Sequence, residues 1–169
     1  RFDVISKLPS IKKVPKKNME KFIKKQIYKN LSLLKSNNIF CMLFHDSKDF
    51  RLKKIKDAIK ILIEYKKQKI IRKIGVSIYN PEEINLILKN FKPYKPDVIQ
   101  LPFNVFDNRF QVTGKLKKLK QLKVEIHARS IFLQGLFFKD VKNLSSYFRK
   151  WEKKLYHFRK NKNEKTIYN

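Results

Sequence analysis

Five short apolar runs, rich in β-branched residues, recur along the chain and are each followed by a helical pattern. They read "FDVIS" at 2–6, "IFCMLF" at 39–44, "IRKIGVS" at 71–77, "DVIQLPF" at 97–103 and "VEIHA" at 124–128. In the first interval Phe22, Ile23, Ile27, Leu31 and Leu34 hold one apolar face, and in the second Leu52, Ile55, Ile59, Leu62 and Ile63 do so among lysines, as amphipathic helices do when they lie on a sheet. Asn80 as N-cap, Pro81 at the first helical position and Glu83 closing a capping box announce a third helix, which runs through Ile84, Ile87, Leu88 and Phe91 to a stop at Pro93. "LKKLKQL" predicts a fourth helix. "NLSSYFRKWEKKLYHF" predicts a fifth, with Leu144, Tyr147, Trp151, Leu155 and Phe158 on one stripe. Strand and helix alternating every 25 to 37 residues or so predicts parallel strands joined by right-handed crossovers.

Two α/β architectures satisfy that order: an open doubly wound sheet and part of a (β/α)8 barrel. The chain has only three glycines, Gly75, Gly114 and Gly135, and no glycine-rich turn after its first strand of the kind dinucleotide-binding sheets carry. A partial (β/α)8 barrel of about five βα units, spanning residues 1–160, is therefore expected, with 161–169 a polar tail or the start of a further segment. In barrels the chemistry sits at the carboxyl ends of the strands. Each run here delivers polar residues there or nearby: Ser6 and Lys7, His45 and Asp46, Ser77, Gln100, and Arg129 with Ser130.

The 42 Lys and Arg against 14 Asp and Glu give a net charge of +28, which raises a nucleic-acid partner. Against it, the lysines are spread over every helical segment, arginine supplies seven of the 42, and no aromatic-basic RNA motif is present. A solvated surface is expected instead, with a basic nucleic-acid-binding protein as the alternative. The single cysteine, Cys41, lies in an apolar run, so neither a disulfide framework nor a thiol pair for metal is expected. With no apolar stretch long enough to span a bilayer and no signal-peptide core at the start, a cytoplasmic location is expected. The chain opens at Arg1 directly on an apolar run, as a piece of a longer protein would.

In order and spacing, "VISKLP", "MLFHD", "IRKIGVSIYNPEEI", "DVIQLPFNVFDNRF" and "VEIHARSIFLQGLFF" resemble strands three to seven of the aldo/keto reductases, most nearly the bacterial branch with "RSIFLQG" after its seventh strand. The resemblance implies an oxidoreductase that transfers hydride between NADP or NAD, NADP being favoured, and the carbonyl of a small molecule. For Lys7 it implies the lysine that lowers the pKa of a catalytic tyrosine, and for His45 the histidine that hydrogen-bonds the substrate carbonyl. Ser77 and Gln100 match positions that hold the nicotinamide carboxamide. Where many relatives have an asparagine after that serine, this chain has Ile78, and the task could pass to Asn80. Arg129 stands where an aromatic ring often stacks on the nicotinamide, a role a planar guanidinium can take. Ser130, Phe132 and Gln134 would line the pyrophosphate path. Asn104, Asp107 and Arg109 are expected to organise their own loop, and Asp46 to cap a turn.

In the family the catalytic tyrosine and its aspartate partner precede the lysine strand, and no tyrosine of this chain sits in a comparable motif. These residues alone are accordingly expected to be inactive. A non-catalytic relative that uses the cofactor pocket for sensing or assembly is the remaining alternative.

Overall fold

The computed structural model describes residues 3–140 and 144–160. The chain divides into two compact units, Arg1–Arg129 and Ser130–Asn169. The first holds five strands, β1 (Ile5–Leu8), β2 (Ile39–Phe44), β3 (Ile71–Ser77), β4 (Val98–Pro102) and β5 (Glu125–Arg129). All four pairings are parallel and the spatial order is the sequence order. Between them lie α1 (Met19–Leu34), α2 (Ile55–Lys67), α3 (Glu83–Phe91), the single turn α4 (Arg109–Val112) and α5 (Lys115–Gln121). This is the α/β order of a partial (β/α)8 barrel.

Side chains alternate along a strand, and here the two sheet faces differ. Met42, Phe44, Ile74, Val76, Ile99 and Leu101 join the helix-side core with Ile23 and Ile27 of α1, Ile55, Ala58, Ile59 and Leu62 of α2, and Ile84, Ile87 and Phe91 of α3. Burying each of these isoleucines contributes about 1.5–3 kcal/mol relative to leaving it in water. Phe50 anchors the middle of this layer, meeting Phe44 edge-on at 5.3 Å and stacking on Phe91 at 5.9 Å. The opposite face carries a small apolar cluster of Cys41, Leu43 and Val98. Beyond it, the same parity brings forward Lys7, Lys73, Ser77, Gln100, Glu125, His127 and Arg129.

Some boundaries differ from the sequence pattern. The first strand begins at Ile5, not Phe2, and extends through Lys7 to the fully buried Leu8, where Pro9 ends it. Asn80 does not cap α3 with its side chain. Residues 80–82 form a turn, with the Glu83 N–H bonded to the Asn80 carbonyl, and the helix proper starts at Glu83. Glu83 nevertheless plays its half of the capping box, Oε2 accepting from the Tyr79 and Asn80 N–H groups at 3.0 Å each.

In the second unit, the segment expected to be one helix begins as a 3-10 stretch, Ser146–Trp151, and turns α-helical in α6 (Glu152–Lys160). Of its expected stripe Leu144 and Leu155 are buried while Tyr147 is 70% exposed, because 3-10 winding rotates the stripe off its α-helical period. Val141, Lys142, Asn143 and the tail 161–169 lie outside the described residues.

Gly75 is required by a close approach between strands. A Cβ there would stand 2.4 Å from the Val98 carbonyl oxygen and 2.6 Å from Leu43 Cδ2. Gly75→Ala therefore pushes β3 off β4, and urea denaturation should show a loss of about 1–3 kcal/mol.

Candidate active site at the strand ends

The carboxyl edge of the sheet is built by register. Ser77 on β3 stands opposite Gln100 on β4, which stands opposite His127 on β5. Ser77 is buried, and its hydroxyl lies 3.3 Å from Gln100 Oε1. One step further out, Arg129 ends β5 and reaches back across β4: Nη2 donates to the Ile78 carbonyl at 3.1 Å. Its guanidinium lies over the Tyr79 ring, 4.1 Å from the centroid. Arg129 Nε is buried and has no hydrogen-bond partner among the described residues. Ile78 points the other way, fully buried in the helix-side core, which is why an apolar residue follows the serine here.

Lys7 lies in β1 on the same face, level with Leu43. Burial, and then repulsion from Arg129, hold its ammonium pKa below the ordinary lysine value. His45 is the first residue past β2, with its N–H bonded to the Leu8 carbonyl at 3.1 Å, and its side chain is exposed. Asp46 does cap the following turn, Oδ1 accepting from the Lys48 N–H at 2.9 Å. Asp107 and Arg109 bind each other twice, at 2.7 and 2.8 Å, and Asn104 Oδ1 accepts from the Phe106 N–H; these contacts organise the loop itself.

Ser130, Phe132 and Gln134 belong to the second unit. There the chain turns tightly: Ser130, Leu133, Gln134 and Gly135 all have positive φ, the Leu133 N–H bonds the Ser130 carbonyl, and the Gly135 N–H bonds the Phe132 carbonyl. Phe132 is 55% exposed beside Phe138.

Four residues, Tyr79 beside Arg129 and Lys73, Glu125 and His127 on the same sheet face, were not singled out from sequence. Tyr79 supports Arg129. Glu125 joins Lys73 of β3 to His127, whose Nε2 is 2.6 Å from Glu125 Oε1. A period-two reading of "EIHAR" would have put Glu125, His127 and Arg129 on one face, the face opposite the core side of Ile126.

A profile of the Aldo/keto reductase family matches residues 2–168. The chain belongs to the aldo/keto reductase family. A search of curated proteins found no match by sequence. Among solved structures, it is similar to a thermostable aldo-keto reductase, Tm1743, in complex with the inhibitor epalrestat (17% identity, TM-score 0.64, 88% of this chain and 49% of that one). It is also similar to an aldo-keto reductase from Bacillus halodurans in its holo form (21%, 0.61, 79% and 42%) and to a Gox0644 variant in complex with NADPH (16%, 0.61, 80% and 46%). The chain thus spans about half the length of the reductases it matches.

Contacts with Lys73 and His127 hold the Glu125 carboxyl below the usual carboxylate range. A depressed carboxyl stabilises the fold above its unfolded pKa and loses that contribution as pH falls through the folded value. Glu125→Gln should therefore flatten the acid limb of stability against pH between about 5 and 3, followed by thermal unfolding.

Proposed function

We propose that this chain supplies strands three to seven of a bacterial-branch aldo/keto reductase barrel, and that the full-length protein transfers hydride between NADP or NAD, NADP being favoured, and the carbonyl of a small molecule. The observation that carries this reading is the pairing of Ser77 with Gln100 at the carboxyl edge of a parallel sheet of this family. A nicotinamide carboxamide presents one acceptor and a pair of N–H donors. A hydroxyl and a side-chain amide 3.3 Å apart offer both donor and acceptor to it, so these residues fit the cofactor. Arg129, with one face on Tyr79, has its other face for the nicotinamide ring, and Ser130, Phe132 and Gln134 are the proposed pyrophosphate contacts.

The cofactor, when bound, supplies or takes up the hydride. Around it the chain's own residues prepare the carbonyl. His45 donates a hydrogen bond that orients the carbonyl and withdraws charge from it. Lys7 is a cation beside which a phenol gives up its proton more readily, because an ammonium stabilises the phenolate. Burial and Arg129 raise the energy of charge at Lys7, so a phenolate next to it is doubly favourable.

The bound partner is a small carbonyl compound, not nucleic acid. Exposed lysines run over α1, α2 and α5 without gathering into one stripe, which supports a solvated surface. Among the described residues no helix is long and apolar enough to cross a membrane. Cys41 is buried, its thiol pushed up to about 12 chiefly by that burial, and an inert thiol suits a cytoplasmic location.

The reading is tested on the full-length protein. NADPH-dependent reduction of an aldehyde should be measurable, and Lys7→Met should lower kcat by about 100-fold or more if the lysine supports acid catalysis. In a fluorescence titration Ser77→Ala should raise the NADPH Kd about 2- to 10-fold, the worth of one hydrogen bond. An unchanged Kd would return Ser77 to a strand-end residue, and absence of any NADPH binding would sink the reading.

A further inference from the structure

Arg129 pairs with no carboxylate among the described residues, and its buried Nε has no hydrogen-bond partner among them. Of all residues in the five strands only Glu125 is acidic, and its two oxygens are taken by Lys73 and His127. Glu83, four residues past Tyr79, accepts from the Ser47 hydroxyl at 2.6 Å and from two backbone N–H groups. Asp46 is spent on the Lys48 N–H. What remains is Arg129, held by a carbonyl, an aromatic face and no carboxylate among the described residues, with Lys7 close enough for the two cations to repel.

A guanidinium with a buried, unpaired Nε and no carboxylate partner costs free energy that an arriving anion recovers. The guanidinium is moreover oriented beforehand. Stacking on Tyr79 fixes its plane and the Ile78 carbonyl fixes one of its five N–H groups, so little freedom is lost when its fork meets a planar carboxylate or a phosphate. A surface lysine on a four-carbon stem has no such preparation.

We propose that Arg129 binds an anionic group, a carboxylate or phosphate, on the molecule that occupies the rim. The group can come from the carbonyl substrate or from the phosphates of the cofactor. Resting on the reading above, this assigns the substrate arm a class: a carbonyl compound that carries a carboxylate or phosphate near the reacting carbon. Tyr79 is then a positioning residue that acts through Arg129.

The test is direct binding to the full-length protein, which needs no turnover. By calorimetry or ligand-observed NMR, 4-acetylbenzoate should bind about tenfold or more tightly than its methyl ester, the scale of one charge-assisted contact. Arg129→Leu should abolish that ratio, Arg129→Lys should keep part of it, and Tyr79→Leu should reduce it. Equal binding of acid and ester to the unaltered protein overturns the proposal without any variant having to fold. A preference that survives Arg129→Leu also overturns it, by assigning the effect to the diffuse lysines. Inorganic pyrophosphate that binds in an Arg129-dependent way while 4-acetylbenzoate does not would make the cofactor the source of the anion. NADPH titrated on the same sample separates the two readings: NADPH binding without acid preference sinks this proposal alone, and Arg129-dependent acid preference without NADPH binding sinks only the cofactor assignment.

Discussion

The close approach of β3 to β4 at Gly75 is the constraint from which the rest of the site is laid out. Because no side chain stands between Gly75 and the Val98 carbonyl, the two strands sit in the register that puts Ser77 opposite Gln100 two residues later. In a parallel sheet every further row is inherited from that one: His127 falls beside Gln100, and Arg129 beside Pro102. A shift of one residue would turn Ser77 and Gln100 into the helix-side core and bring Val76 and Ile99 to the rim. The hydrophobic layer under the helices forbids this, since Val76, Ile78, Ile99 and Leu101 are all fully buried in it.

The loops after the strands are fixed by carboxylates used as hydrogen-bond acceptors. Glu83 ties the Tyr79 and Asn80 N–H groups to Ser47 in the loop after β2. Asp49 is 2% exposed and accepts from the Ser10 hydroxyl at 2.7 Å and the Ile11 N–H at 2.9 Å, joining the loop after β2 to the loop after β1. These carboxylates accept from neutral donors, so they brace the loops without pairing with Arg129.

The alternation of elements was readable in the sequence because burial on one face leaves a period, and the strands at 39–44 and 71–77 and the apolar faces of the first three helices follow it, apart from Leu34 at the end of α1, which is exposed. The reading slipped where a competing local preference decided the outcome. Val4 and Ile5 drew the first strand toward residue 2, but the tight packing of Leu8 against the core carries the strand past Lys7. Asn80 has the composition of a cap, yet Pro81 and Glu82 wind a turn first and pass the capping to Glu83. Ser77 and Arg129 could be placed at strand ends and Gln100 within its strand, and the family resemblance singled them out. Tyr79 and the chain from Lys73 through Glu125 to His127 could not be named, because they depend on which strands are neighbours and on how far a guanidinium reaches across one.

Arg129 on β5 and Tyr79 after β3 together form one flat, charged surface, the guanidinium lying 4.1 Å from the ring centroid. That charge acts at contact range and is partly desolvated, whereas the lysines over the helices lie in water, where physiological salt screens them within about 8 Å. Among the described residues Arg129 has a fixed plane, a carbonyl anchor and no carboxylate partner, which is the preparation that selective pairing with an anion requires.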